Sequence, residues 1–223
     1  MKYKAIIFDM DGTIIDTEII WKKATHTLLT RRGVEVTPEL EQELSHRLNG
    51  IAIQSSCRII KEISGSQEPV EQLVAEKSAL ACELYEQGID FISGFPEFHK
   101  KLKDLSLKTG LATNANDDTL NLTKRLLKLE QFFGTHLYNI SCVNNKGKPH
   151  PDIYLHTAAR LEINPTECIA FEDSAHGIAA AQAAGMFCVG ITTSGNPRQT
   201  ENADLVIDSY DQINLLDLLS RSK

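Results

Sequence analysis

Phe8-Asp9-Met10-Asp11-Gly12-Thr13-Ile14-Ile15-Asp16-Thr17-Glu18 is the stretch that decides how this chain folds. It closes the first apolar run, and within it Asp9 and Asp11 stand one residue apart, followed by Gly12 and Thr13, where a short buried strand gives way to a turn. Two carboxylates at such a point make poor sense as structure. They suit a nucleophile and an acid placed beside a divalent metal ion.

On either side of this stretch, short β-rich runs alternate with helical patterns. Lys4 to Phe8, Thr109 to Thr113, Tyr138 to Cys142, Cys168 to Glu172, Phe187 to Ile191 and Leu205 to Ile207 read as strands, several of them apolar on consecutive residues. Such runs fit strands buried on both faces of a parallel sheet. Pro96 to Leu105, Asp117 to Leu127, Pro151 to Leu161, Ser174 to Ala184 and Ile213 to Leu219 read as helices. The alternation predicts an α/β fold with a doubly wound parallel sheet, a Rossmann-like core. From Asp16 to Ile92 the pattern is helical throughout, with breaks at Gly33, at Asn49 and Gly50, at Gly65 and at Gly88. The expected organisation is therefore a core of residues 1–15 and 93–223 with an inserted helical cap domain of residues 16–92. A cap inserted there would overhang the carboxyl end of the sheet, where open α/β sheets bind ligands.

Composition narrows the class. The chain has 223 residues, 42% hydrophobic and 24% charged, which is enough for one sizeable core and an inserted subdomain. No run approaches the roughly 18 to 20 apolar residues of a membrane span. The apolar run after Lys4 is too short for a signal peptide. Five scattered cysteines without a CxxC pair read as free thiols in a reducing compartment, so a cytoplasmic location is expected. A net charge of −7 argues against nucleic acid as a partner. An anionic ligand would need local positive charge from a metal or one placed lysine.

Polar residues cluster at the expected strand ends. The first strand ends in Asp9 and Asp11, the second in Thr113 and Asn114, and the fourth in Glu172 and Asp173, while Gly147-Lys148-Pro149 precedes the helix that starts near Pro151. Each has a plain structural reading alone. Thr-Asn after a strand is usually a turn, Gly-Lys-Pro a solvated loop, and Glu-Asp before Ser174 an ordinary helix start. A parallel sheet would bring all four to one edge, and that conjunction points to a site.

These residues resemble the haloacid dehalogenase superfamily of phosphohydrolases over essentially the whole chain. The first motif is matched by Asp9, Asp11, Gly12 and Thr13, the second by Thr113, the third by Lys148 in GKPHPDIY, and the fourth by FEDSAHGIAAAQAAGM from Phe171 to Met186. The insertion is similar to the helical cap of the subgroup that includes sugar-phosphate phosphatases and β-phosphoglucomutase. The resemblance implies that Asp9 is a nucleophile forming an aspartyl-phosphate and that Asp11 protonates the leaving alcohol, then takes a proton from the attacking water. Asp11 must then be protonated beside an ionised Asp9, so the site must drive their pKa values apart. Thr113, Asn114 and neighbouring amides would hold the phosphoryl oxygens, with Lys148 neutralising their charge. The implied cofactor is Mg²⁺, with Asp9, Asp11 through its backbone carbonyl, Asp173 and Glu172 as ligands. Its need is physical: at roughly 4 Å and an effective dielectric of about 20, each pair of like unit charges costs about 4 kcal/mol.

Within the superfamily, Asp11 favours phosphate esters, because a departing alkoxide needs a proton and a halide does not. β-Phosphoglucomutase carries a cap histidine where Trp21 stands here and a phosphate-gripping arginine near Ile53. Those departures, with DTE at Asp16 to Glu18 and LNG at Leu48 to Gly50, favour a phosphatase acting on a small phosphorylated metabolite, with a sugar phosphomutase as the alternative. A receiver-like module fits less well, because it is shorter and places its acidic pair before the phospho-acceptor strand. A non-catalytic phosphate-binding protein is disfavoured because each charged position is filled. Glu18, Trp21, Asn49 to Ile53 and Lys77 are candidates for specificity. A monomer without membrane partners is expected. Trp21 also has a packing reading. His150 and His176 have surface or helix-start readings, His26, His46, His99, His136 and His156 lack metal-ligand spacing, Gly185 reads as a left-handed helix end, and Ser194 to Pro197 as a loop.

Overall fold

The computed structural model describes residues 2–48, 51, 53–193 and 197–221. The chain forms two compact units, residues 1–16 with 90–223 and residues 17–89. Asn49, Gly50 and Ala52, named above as a helix break and as specificity candidates, lie outside the described residues, as do Ser194, Gly195 and Asn196.

In the first unit, β1 (Ala5–Phe8) is buried along its whole length, as expected of a central strand. The other strands are β2 (Lys108–Thr113), β3 (Leu137–Asn139), β4 (Cys168–Glu172), β5 (Phe187–Ile191) and β6 (Leu205–Ile207). All pair in parallel, in the order β3-β2-β1-β4-β5-β6. That order reverses direction between β1 and β4, which is where doubly wound sheets open a crevice. The register places Phe8 beside Phe171 and Leu111, so Asp9 follows β1 at the level where β4 ends in Glu172.

β3 is shorter than the run of residues 138–142 suggested. Its partner β2 ends at Thr113, opposite Asn139, and an edge strand has no second neighbour, so Ile140–Val143 winds into a 3₁₀ turn instead.

The two faces of the sheet are packed differently. On one, Phe8 stacks on Phe171 and meets Phe95, Phe98, Phe133 and Tyr210 within 6.5 Å. On the other, Ala5, Ile7, Ala112, Ala170 and Cys188 pack with Ile153, Tyr154, Ile178 and Ala181. Small side chains on that face let the helices that follow β3 and β4 approach the sheet closely.

The second unit holds α1 (Glu18–Arg31), α2 (Pro38–Leu48), α3 (Ile53–Ser64) and α4 (Val70–Gln87). They enclose Ala24, Leu28, Leu29, Leu44, Cys57, Ile60, Leu73 and Leu80. Arg32 fastens this unit at its surface, reaching Glu68 and Glu76 at 2.6 and 2.7 Å. The first unit adds α5 (Phe95–Asp104), α6 (Asp117–Leu127), the single turn α7 (Glu130–Phe133), α8 (Asp152–Arg160), α9 (Ala175–Ala183) and α10 (Leu215–Ser220). Periodicity cannot reveal α7, which is one turn long. Among the described residues, no helix is long and apolar enough to cross a membrane.

Candidate active site

The turn after β1 is folded by its own backbone. The N–H of Asp9 donates to the carbonyl of Phe171 at 3.0 Å, continuing the ladder to β4, and the N–H groups of Ile14 and Ile15 both return to the carbonyl of Met10, at 3.0 and 3.2 Å. Gly12 takes φ +78° within this turn. A Cβ there would also lie 2.2 Å from the Asp173 carboxylate, so only glycine admits both the turn and the acid. Two late residues hold the same turn from outside: the hydroxyl of Thr193 donates to the carbonyl of Gly12, and that of Tyr210 to the carbonyl of Thr13 at 2.9 Å.

Around this turn the first unit gathers Asp9, Glu172 and Asp173, one carboxylate oxygen of each lying within 4.8 Å of the others. Lys148 reaches into the group. Its ammonium donates to Oδ1 of Asp9 and lies 2.5 Å from Oε1 of Glu172, with the lysine side chain 3% exposed. Three carboxylates against one ammonium leave two negative charges uncompensated when all are ionised. The pKa values record that excess. Burial pushes Asp9 from 3.8 up to about 7, with Glu172 and Asp11 adding to the shift and Lys148 opposing it. Burial and the charges of Asp9 and Glu172 hold Asp173 well above the usual carboxylate range. For Lys148, burial works against the charged form, but Asp9 and Glu172 outweigh it and keep the ammonium above its ordinary value.

Glu172 is fully buried and has three donors. Tyr154 donates its hydroxyl to Oε1 at 2.5 Å, Lys148 lies on the same oxygen, and Ser174 donates to Oε2 at 3.2 Å. Ser174 also accepts from the N–H of Gly177 at 3.1 Å, so it caps α9 as its position predicts. Gly177 belongs to the same seat, because a Cβ there would fall 1.9 Å from the Glu172 carboxyl carbon.

The loop after β2 reaches this group through the backbone. Asn114 accepts from the N–H of Lys148 at 2.9 Å, and a Cβ on Gly147 would come within 2.8 Å of that same amide oxygen. Thr113 is buried and accepts from the N–H of Ala115 at 3.0 Å, folding its loop back over the end of β2. Asp11 sits half-buried on the turn, close enough that a negative charge on it raises the pKa of both Asp9 and Asp173.

Hard oxygen donors in an electron-rich cluster of this kind suit a hard divalent cation, and a group of carboxylates carrying excess negative charge is what such a cation stabilises. Residues 6–191 match the family described as haloacid dehalogenase-like hydrolase. The chain belongs to that family. It is 29% identical over 225 residues to the β-phosphoglucomutase of Bacillus subtilis, covering 95% of this chain and 92% of that protein. It is equally 29% identical over 219 residues to hexitol phosphatase B of Escherichia coli, covering 96% of each. Its fold matches the crystal structure of a family IA hydrolase of Entamoeba histolytica with a TM-score of 0.83, at 24% identity and 97% coverage of both chains.

As a family member, the chain departs from its sequence reading in what surrounds the acidic residues. Tyr154, Gly177, Thr193 and Tyr210 carry no role in that reading, yet they seat Glu172 and hold the turn after Asp9. In the helical unit, Trp21 meets Tyr85 edge to face at 6.3 Å, and the ammonium of Lys77 lies 5.9 Å from the Trp21 ring and 2.5 Å from the hydroxyl of Ser56. His99 is a core histidine among Phe8, Phe95, Phe132 and Phe133, held neutral to about 4 by burial and by the charge of Lys103. Gly185 adopts φ +84° after α9, the left-handed end its position predicts.

Proposed function

We propose that this hydrolase is a Mg²⁺-dependent phosphatase that cleaves phosphate monoesters of small metabolites, with sugar phosphates as the substrate class. The observation that carries the reading is the ammonium of Lys148 standing on Asp9 and Glu172 with Asp173 beside them. Such a group presents an anionic nucleophile together with the positive charge that a phosphate needs.

In this reading an oxygen of Asp9 attacks phosphorus and the bond from phosphorus to the ester oxygen breaks, leaving an aspartyl-phosphate. Asp11, next but one along the turn, gives its proton to the departing alkoxide. As a carboxylate it then takes a proton from water, whose oxygen attacks the same phosphorus, and inorganic phosphate leaves with Asp9 restored. Lys148 neutralises charge on the phosphoryl oxygens during both transfers, and Thr113 with the adjacent amides orients them. Asp9 and Asp173, with the Asp11 carbonyl and Glu172, are the groups that would hold Mg²⁺, whose charge shields the incoming phosphate from the carboxylates and keeps Asp9 ionised.

The substrate class is supported by hexitol phosphatase B and β-phosphoglucomutase among the relatives. The mutase reading draws on the second of these. Hydrolysis is favoured because Trp21 of α1 is turned onto Tyr85 and Lys77, an aromatic packing role rather than that of a proton-transferring histidine. The five cysteines are all free, which fits the reducing cytoplasm, and the proposal extends to a monomer there.

The test is phosphate release from a panel of phosphorylated sugars, polyols and nucleotides, with and without Mg²⁺, and with product analysis for isomerised sugar phosphate. Hydrolysis that stops on chelation and returns with Mg²⁺ is expected. In Asp9→Asn, which removes the nucleophile, turnover should fall by roughly 10⁴-fold or more, in the range found when a nucleophile is deleted. Metal-independent turnover, or an active Asp9→Asn protein, would remove the mechanism. Isomerised product as the main outcome would make it a mutase.

A further inference from the structure

We infer that Tyr154 is a positioning residue for Lys148, setting how the ammonium divides itself between Glu172 and Asp9. The inference rests on the phosphatase reading above and deepens it. Lys148 and Tyr154 lie six residues apart in one segment, but they meet at an oxygen supplied by another strand. Oε1 of Glu172 accepts from the Tyr154 hydroxyl at 2.5 Å and faces the Lys148 ammonium at the same distance. The same ammonium lies 5.1 Å from the centroid of the Tyr154 ring. Tyr154 thus touches the pair twice, once through a hydroxyl that shares the acceptor and once through a ring face that attracts the cation.

The consequence follows from competition for one oxygen. Glu172 is held from its other side as well, where Oε2 accepts from Ser174 and the carboxylate lies in the space that Gly177 leaves open. With the hydroxyl present, part of the charge on Oε1 is engaged by a neutral donor, and the ammonium stays centred between two carboxylates. Without it, Oε1 falls wholly to Lys148, and the ammonium is drawn toward Glu172 and away from Asp9. That shift removes positive charge from the place where phosphoryl oxygens gather in the transition state. Buried tyrosines commonly just satisfy their hydroxyls. Here the acceptor is shared with the lysine that serves the nucleophile, which gives the phenol a chemical consequence.

Tyr154→Phe separates the two contacts, keeping the ring and deleting the hydroxyl. With the sugar phosphate that the wild-type enzyme hydrolyses fastest, kcat should fall about tenfold, the rate equivalent of one hydrogen bond to a charged group, while KM stays within about twofold. In the substrate-free protein, the ¹⁵N and ¹H resonances of the Lys148 ammonium should shift, a readout that needs no turnover. Tyr154→Leu, which also deletes the ring, should shift the resonance further. Unchanged kcat together with an unchanged Lys148 resonance in Tyr154→Phe would overturn the inference, as would a loss confined to thermal stability. If that variant does not fold, 3-fluorotyrosine placed at residue 154 keeps the contact and strengthens the donor, and a Lys148 resonance that does not respond to it overturns the inference equally. Failure of the phosphatase reading would be seen differently, as a wild-type protein that releases no phosphate from the panel.

Discussion

Lys148 in the α/β unit and Lys77 in the helical unit are both buried, at 3% exposure for the Lys148 side chain and 4% for Lys77, and both reach a hydroxyl-bearing or acidic neighbour at about hydrogen-bond distance. Their charges have opposite standing. Lys148 faces two carboxylates that hold its proton more firmly than water does, while Lys77 has Ser56 and the Trp21 ring, and burial drops its pKa from 10.5 to about 8. One unit buries an ammonium by surrounding it with charge. The other buries it among neutral groups, where desolvation is only partly offset. A buried lysine therefore says little by itself; what it faces decides whether it is a fixed counter-charge or a group near its own titration.

Replacing the first lysine gives the largest expected effect. Lys148→Met leaves Asp9, Glu172 and Asp173 without their ammonium, and breaking a buried pair from one side costs about 3–5 kcal/mol. Chemical denaturation should record that loss, with phosphate release abolished. An equally stable variant would mean that the carboxylates are neutral in the folded protein and that the contrast is false.

Lys77→Met should move stability the other way. A drop from 10.5 to about 8 corresponds to about 3 kcal/mol, and the lost hydrogen bond to Ser56 returns about 1, so the variant should gain about 2 kcal/mol at pH 7. Here the folded pKa lies below the unfolded one, so unfolding takes up a proton between pH 8 and 10.5. Wild-type stability then rises relative to the variant across that window, and the advantage of Lys77→Met should vanish by its upper end. Denaturation at pH 7 and pH 10.5 measures this directly, and a gap independent of pH would show that Lys77 is already neutral or fully paired.

Gly177→Ala sharpens the acidic side of the comparison with the smallest change in stability. In an ordinary helix this substitution stabilises by about 1 kcal/mol. Here the new methyl would overlap the Glu172 carboxylate, an overpacking cost of about 1–3 kcal/mol, so the net should be a loss of about 1. Because Glu172 must move, turnover should fall more than stability does. A stabilised, fully active variant would show that Glu172 has room elsewhere.

What was legible in the sequence divides along similar lines. The runs of residues 168–172, 187–191 and 205–207 are strands from end to end, since continuous apolar stretches ended by polar residues leave few alternatives. β3 was overrun because its length is set by where β2 stops, and no residue within 138–142 records that. In the site, Asp9, Glu172 and Asp173 stand at or just after strand ends, so a parallel sheet is enough to bring them together, while Lys148 reaches them from the loop before α8. Tyr154 and Tyr210 act on residues of other elements, 18 residues away at Glu172 and 197 residues away at Thr13, and only the folded sheet brings those partners within reach. The need for glycine at residue 177 shows only in the fold, because the carboxylate that requires it belongs to the preceding strand.

The clasp of Thr193 and Tyr210 on the turn after β1 also sets an order of events during synthesis. β1 is made well before its neighbours β2 and β4, which begin at Lys108 and Cys168, and the hydroxyls that fix the carbonyls of Gly12 and Thr13 come later still. Contacts so distant in sequence are slow to form, because a long loop must close before they can repay it. A growing chain that has already displayed Asp9, Asp11, Lys148, Glu172 and Asp173 still lacks the tyrosine that pins the turn. The turn that carries Asp9 and Asp11 is thus fixed by residues 181 and 197 positions downstream of the carbonyls they hold, and it settles only once they have been made.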